Sequence, residues 1–256
     1  MCWHTLHNRG KKKLKNFLEQ FNILSTDCVS VAGSGGKTTL LKQFATESIS
    51  LNIPTIITTT THVMVPFYSQ SEIIIKLKEN MPDLEKLNQQ ISNNLMVLIS
   101  KEILPGKAAG LSFRQIEPLF NNFLLLIEAD GSRCKPFKIP NNTEPVMYGN
   151  TNHAIIVCGL RAIGKPFNKE WVHRPELIEK QEKVTPDLAA KVISNPVHYL
   201  NKFPSNCNIN IYLAGCNTNL KYSYALEIKK YLRRLKFYHP IFTGNISKEK
   251  TWIEKL

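Results

Sequence analysis

Apolar residues recur along this chain in two rhythms, one helical and one extended. Leu14, Phe17, Leu18 and Phe21 fall at helical spacing and predict an amphipathic helix over residues 11–24. The short run Cys28–Val31 then enters a glycine cluster, and Thr39–Ser50, rich in Leu, Lys, Gln and Ala, reads as a helix. Pro54–Thr61 is β-branched almost throughout, as strands are. Two apolar runs, Ile73–Leu77 and Leu95–Ile99, flank a polar, helix-like stretch from Asp83 to Ser92. Phe123–Ile127 is continuously apolar, the pattern of a parallel strand covered on both faces. His153–Val157 and Asn210–Leu213 are further strands, with helical stretches at Pro175–Lys183 and Pro186–Ile193 between them. A basic helix over Tyr222–Lys236 precedes a last strand, Pro240–Thr243.

Strands alternating with helices predict an α/β fold with a doubly wound, mostly parallel sheet. A basic helix at 1–24 precedes one α/β domain at 25–256, with a small helical insertion at about 165–207. Pro136–Thr151, dense in Pro and Asn, is the expected long functional loop or junction. Composition agrees: 43% of the 256 residues are hydrophobic and 21% charged, which suits a packed core. No apolar run approaches a membrane span, and Met1–Lys13 lacks the apolar segment of a secretory signal. Six scattered cysteines without a C-x-x-C pair read as reduced thiols in a cytoplasm and do not support a zinc site. The formal charge of +13 raises the question of nucleic acid. The lysines are spread out, however, with one dense run at Lys11–Lys13, and no nucleic-acid-binding motif accompanies them. They read as solvated surface charge.

Four blocks carry the candidate chemistry. In Gly33-Ser34-Gly35-Gly36-Lys37-Thr38-Thr39, glycines allow close backbone approach, and a helix start, an ammonium and a hydroxyl follow in the order that a triphosphate with Mg²⁺ requires. The general P-loop pattern places a glycine where this chain has Val31. Glu128 and Asp130 close the apolar run Leu124–Ile127, two residues apart and so on one face, suited to holding Mg²⁺ or positioning a nucleophile. Thr58–Thr61 with His62 ends the next strand, where ligands of open α/β sheets sit. Finally, Val172-His173-Arg174-Pro175-Glu176 follows Gly159–Gly164, with Arg174 or Arg161 placed to meet phosphoryl charge.

In the order and spacing of these blocks the chain resembles the YqeC-like family of selenium-dependent hydroxylase accessory proteins. Gly33–Thr39, Thr58–His62, Glu128–Arg133 with Pro136-Phe137-Lys138-Ile139-Pro140, Glu144-Pro145-Val146, Gly159–Gly164 and Val172–Glu176 carry the likeness, across roughly residues 25–180. The blocks themselves predict a P-loop NTPase or phosphotransferase that uses Mg²⁺ with ATP or GTP, and the resemblance implies that it serves the maturation of selenium-dependent molybdenum hydroxylases. Its partners would be the nucleotide, an anionic second substrate or the hydroxylase, without a membrane. Lys37, Glu128, Asp130 and Arg174 are the expected catalytic groups. Thr38, Glu128 and Asp130 are expected at the metal. Gly33, Ser34, Gly35, Gly36, Thr39, His62, Arg133 and His173 are expected around the bound nucleotide. Two rival readings stand beside this one: a ligase of the peptidoglycan or folate kind, and a nucleotide-gated binding protein without turnover. The cations His62, Arg133, His173 and Arg174 are expected to converge beside Lys37.

Overall fold

The extended runs become strands of one sheet, and the helical runs cover its two faces. A computed structural model describes residues 16–64, 72–78, 80–91, 95–99, 102–104 and 107–256. In chain order the elements are α1 (Phe17–Phe21), β1 (Cys28–Ser34), α2 (Lys37–Ser50), β2 (Thr55–Thr59), β3 (His62–Met64), β4 (Glu72–Lys76), α3 (Leu84–Ile91), β5 (Leu95–Ile99), β6 (Glu102–Leu104), β7 (Lys107–Ala109), α4 (Phe113–Ile116), β8 (Leu124–Glu128), β9 (Phe137–Lys138), β10 (His153–Gly159), β11 (Val172–His173), α5 (Pro186–Ser194), β12 (Asn208–Ala214), α6 (Asn219–Arg234), β13 (Ile241–Asn245) and β14 (Trp252–Lys255).

Among the described residues nine strands form the main sheet, in the order β14-β13-β12-β10-β1-β8-β2-β5-β4. Every neighbouring pair is parallel except β13 with β14. The alternation of side chains along each strand explains the layers. On β8, Leu124 and Leu126 pack with α1 and α2, whereas Leu125 and Ile127 pack with the α3 and α4 layer. On β10, Ile155 and Val157 join the α2 side, and Ala154, Ile156 and Cys158 face α5 and α6. The fold is therefore the doubly wound α/β type, built on a mostly parallel sheet. No helix of the described residues is long and apolar enough to cross a membrane.

Several boundaries differ from the sequence reading. Helix α1 starts at Phe17, where Asn16 accepts from the Glu19 N–H, and stops at Phe21 because Asn22 turns left-handed; residues 11–15 lie outside the described residues. Its aromatics Phe17 and Phe21 stack edge-on with Tyr212, and Phe21 also with Phe44, so this helix is bound into the core. The expected helix Pro175–Lys183 is one 3₁₀ turn, Pro175–Leu177. Its remainder is drawn into extended pairing instead: Phe167 donates to Glu182 O, and Gly164 and Val184 bond across to each other's segments. The short pair β11–β9 and the three-stranded sheet β3-β7-β6 had no strand signal in the sequence reading.

Candidate functional site

The C-terminal ends of β1, β8 and β10 lie side by side at the centre of the sheet, and the glycine cluster turns there from β1 into α2. Glycine is required at two points of this turn. A Cβ on Gly33, whose φ is 97°, would stand 2.2 Å from Val157 O. One on Gly35 would stand 2.6 Å from Pro136 O and 2.7 Å from Gly159 Cα. The turn is thus wedged between the end of β10 and the segment after β8.

Lys37 opens α2 with its side chain almost wholly buried. Its Nζ donates to Gly33 O at 2.7 Å and lies 3.1 Å from Asp130 Oδ1 and 3.7 Å from Glu128 Oε1. Burial alone would lower this ammonium, but Asp130 and then Glu128 outweigh it and hold it above its ordinary value. Because Glu128 shares the α2-facing side of β8, it also accepts from Thr38 Oγ1 at 3.1 Å.

Asp130 is fully buried and accepts from the Gly33 N–H at 3.0 and 3.1 Å. From there a chain of opposite charges leads away from the turn. Lys138, equally buried, donates to Asp130 Oδ2 at 2.9 Å, to Gly131 O at 2.7 Å and to Glu144 Oε2 at 2.7 Å. Arg174 Nη1 reaches the same Glu144 oxygen at 2.8 Å. The pairing of β9 with β11, which sets Lys138 opposite His173, explains how residues so late in the chain arrive here. Lys138 and Glu144 were not among the expected site residues. The signal for them was their place in the motif blocks Pro136–Pro140 and Glu144-Pro145-Val146.

Above this charged base lies a cleft of about 860 Å³. Gly35, Gly36, Lys37, Thr38 and Thr39 line it, while Gly33 and Ser34 do not. The Gly33 N–H is occupied by Asp130, and Ser34 Oγ donates to Pro136 O. Glu128 lines the cleft, whereas Asp130, its oxygens taken up by Gly33, Lys37 and Lys138, is part of the base. Arg133, Arg161, His173 and Arg174 line the same cleft as Lys37. Of the threonine run, Thr61 reaches it; Thr59 instead donates to Glu128 O and Thr60 to Val146 O. The backbone of His62 pairs with Ala109 on β7, and its side chain lies outside the described residues.

These pairings make stability depend on pH with a definite sign. Burial presses on the Glu144 carboxyl upward, but hydrogen bonds and charge from Arg174 and Lys138 outweigh it and bring it down to about 2. Burial, followed by the charges of Arg174, Lys138 and Arg133, lowers His173 to about 4. Both groups bind protons less readily when folded. The His173 contribution is therefore complete above pH 6.5 and lost as pH falls toward about 4, and that of Glu144 is complete above 4.5 and lost toward about 2. His153, His198 and His239, all lowered by burial, act in the same direction as His173. Denaturant unfolding should show stability falling from pH 7 to 5 and again from 4.5 to 3, and His173→Asn should flatten part of the first interval.

The sequence profile of the YqeC protein family matches residues 29–176, a span that contains every member of the charge chain from Lys37 to Arg174. A protein of Escherichia coli (strain K12) called uncharacterized protein YqeC is similar, with 29% identity over 188 residues, covering 70% of this chain and 72% of that relative. No solved structure matches. Because the profile takes in more than half of the chain, including the glycine turn, the Glu128–Asp130 strand end and the His173-Arg174 segment, the chain belongs to the YqeC family.

Proposed function

We propose that this chain is a Mg²⁺-dependent nucleoside-triphosphate-binding protein of P-loop type, an NTPase or phosphotransferase that acts on ATP or GTP. The observation that carries the reading is the Lys37 ammonium. It is held at the floor of the cleft by Gly33 O and Asp130, at the positive end of α2, with the Thr38 hydroxyl beside it. The Thr38 hydroxyl and the Glu128 carboxylate, 3.1 Å apart, are a hard-oxygen pair of the kind Mg²⁺ takes along with phosphate oxygens and water. Mg²⁺ bound there would supply neutralisation of phosphate charge. Asp130 serves the reaction by holding the turn and the ammonium in place. The wider role, as an accessory factor in maturing selenium-dependent molybdenum hydroxylases, draws support from the motif blocks shared with the family.

Glu128 also predicts how the metal matters. Without Mg²⁺ its carboxylate faces incoming phosphates as a like charge. With Mg²⁺ it becomes a ligand. Calorimetric titration with ATP and with GTP should therefore give one site per chain, weakened about tenfold or more by a chelator, the scale of one lost charge-assisted contact. Glu128→Gln should bind nucleotide almost equally with and without Mg²⁺, and its phosphate release should fall by about a hundredfold. No heat from either nucleotide with Mg²⁺ present would overturn the nucleotide reading; Mg²⁺ dependence unchanged in Glu128→Gln would overturn the metal assignment.

A further inference from the structure

The cleft holds more positive charge than a triphosphate at the Lys37 turn accounts for. Its carboxylates, Glu128 and Glu144, are already engaged by Lys37, Thr38, Lys138 and Arg174. Arg133, Lys135 and Arg161 also line it, and none of the three forms an ion pair among the described residues.

These cations are brought together by packing. Gly159 touches the backbone of Gly35, which sets Arg161, in the 3₁₀ turn Leu160–Ala162, directly beside the glycine turn. Arg133 and Arg174 both adopt left-handed backbone conformations, φ 48° and 61°, uncommon for residues with a side chain. His173 is delivered by the β9–β11 pairing.

We propose that Arg133, Arg161, His173 and Arg174 form a second oxyanion subsite, which holds a phosphate- or carboxylate-bearing small molecule beside the triphosphate at the Lys37 turn. The proposal deepens the nucleotide reading and rests on it. Arginine forks suit planar carboxylates and phosphates; the exposed guanidiniums of Arg133 and Arg161, which form no ion pair among the described residues, are open to a ligand, and Arg174, already on Glu144, borders them. The field at His173 agrees, since burial and the charges of Arg174, Lys138 and Arg133 favour its neutral form, and among the facing groups Glu144 alone opposes them. Ligand pockets run to about 300–1,000 Å³, so this cleft, at about 860 Å³, stands near the upper end. In a phosphotransferase the second occupant would be the acceptor.

The test uses the full chain with Lys37→Met, which keeps the buried stem but disables the turn, so that inorganic phosphate titrated by calorimetry at low salt reads the second subsite alone. Phosphate should bind saturably, one per chain. Adding Arg161→Ala or Arg133→Ala, whose side chains are exposed and can be removed without unfolding, should weaken it at least tenfold. Removing the exposed Lys169 and Lys180, which do not line the cleft, should change it less than twofold. Citrate in place of phosphate separates the two ligand chemistries, the tighter binder naming the class. The subsite is overturned by lack of saturable binding for both anions, or by an equal loss from the distant lysines, even where wild-type protein binds Mg²⁺-nucleotide. If wild-type protein binds no nucleotide while phosphate still binds as described, the subsite stands and the nucleotide reading falls.

Discussion

Replacing Lys37 by alanine should reduce affinity for Mg²⁺-triphosphate by about a hundredfold or more. Truncating one side of a buried, hydrogen-bonded charge pair costs about 2–5 kcal/mol, and each 1.4 kcal/mol is tenfold. In the sequence this lysine reads as an ammonium for the triphosphate. In the structure it is buried, and its Nζ contacts Gly33 O, Asp130 and Glu128. Some loss of fold stability should therefore accompany the loss of binding, because Asp130 keeps Lys138 as its remaining cation. Lys37→Met retains the aliphatic stem and should regain part of the stability but none of the affinity. Calorimetry with thermal unfolding on both variants separates the two effects. Wild-type-like nucleotide affinity in either would remove Lys37 from the binding site.

The second large effect is expected at Lys138. Its ammonium, buried as deeply as any hydrophobic core side chain, is the bond between the base of the glycine turn and the Glu144–Arg174 end of the cleft. Lys138→Met preserves much of the volume but removes the cation that Asp130 and Glu144 share, leaving Asp130 with Lys37 and Glu144 with Arg174. Breaking a buried ion pair from one side costs about 3–5 kcal/mol. In a domain of this size, at about 2–4 °C per kcal/mol, the melting temperature should fall by roughly 6–20 °C. Adding Asp130→Asn removes one of the two carboxylates that Lys138 served while leaving an acceptor for the Gly33 N–H, so the double variant should be more stable than the sum of the two single losses predicts. Strict additivity in that cycle would mean that Lys138 and Asp130 do not act as a pair.

Much of the architecture was legible in the residues themselves. A strand covered on both faces must be apolar at every position, so Leu124–Ile127 announced a central parallel strand, and it packs as one. The glycine turn was equally local. The backbone cannot pass so close to Val157, Pro136 and Gly159 with a side chain at Gly33 or Gly35, and the residue types record that constraint. The spacing of Glu128 and Asp130 also placed both carboxylates toward Lys37, because side chains two apart on a strand point the same way.

Which groups share a charge was decided only by the tertiary structure. Asp130 accepts from a backbone N–H 97 residues earlier, and Glu128 from a threonine 90 residues earlier. Nothing in the spacing of either carboxylate says that one would be sealed beneath the turn and the other left lining the cleft. Lys138 and Glu144 stood in two motif blocks of a Pro- and Asn-rich loop with nothing in their spacing to pair them, and Pro175–Lys183 looked helical, until extended pairings committed the backbones of Lys138 and of residues 182–184 elsewhere. Periodicity reports which face of an element meets a core, a property of neighbouring residues. Ion pairing depends on which strand ends and loops meet across the molecule, and that is settled when the sheet order brings β1, β8 and β10 together.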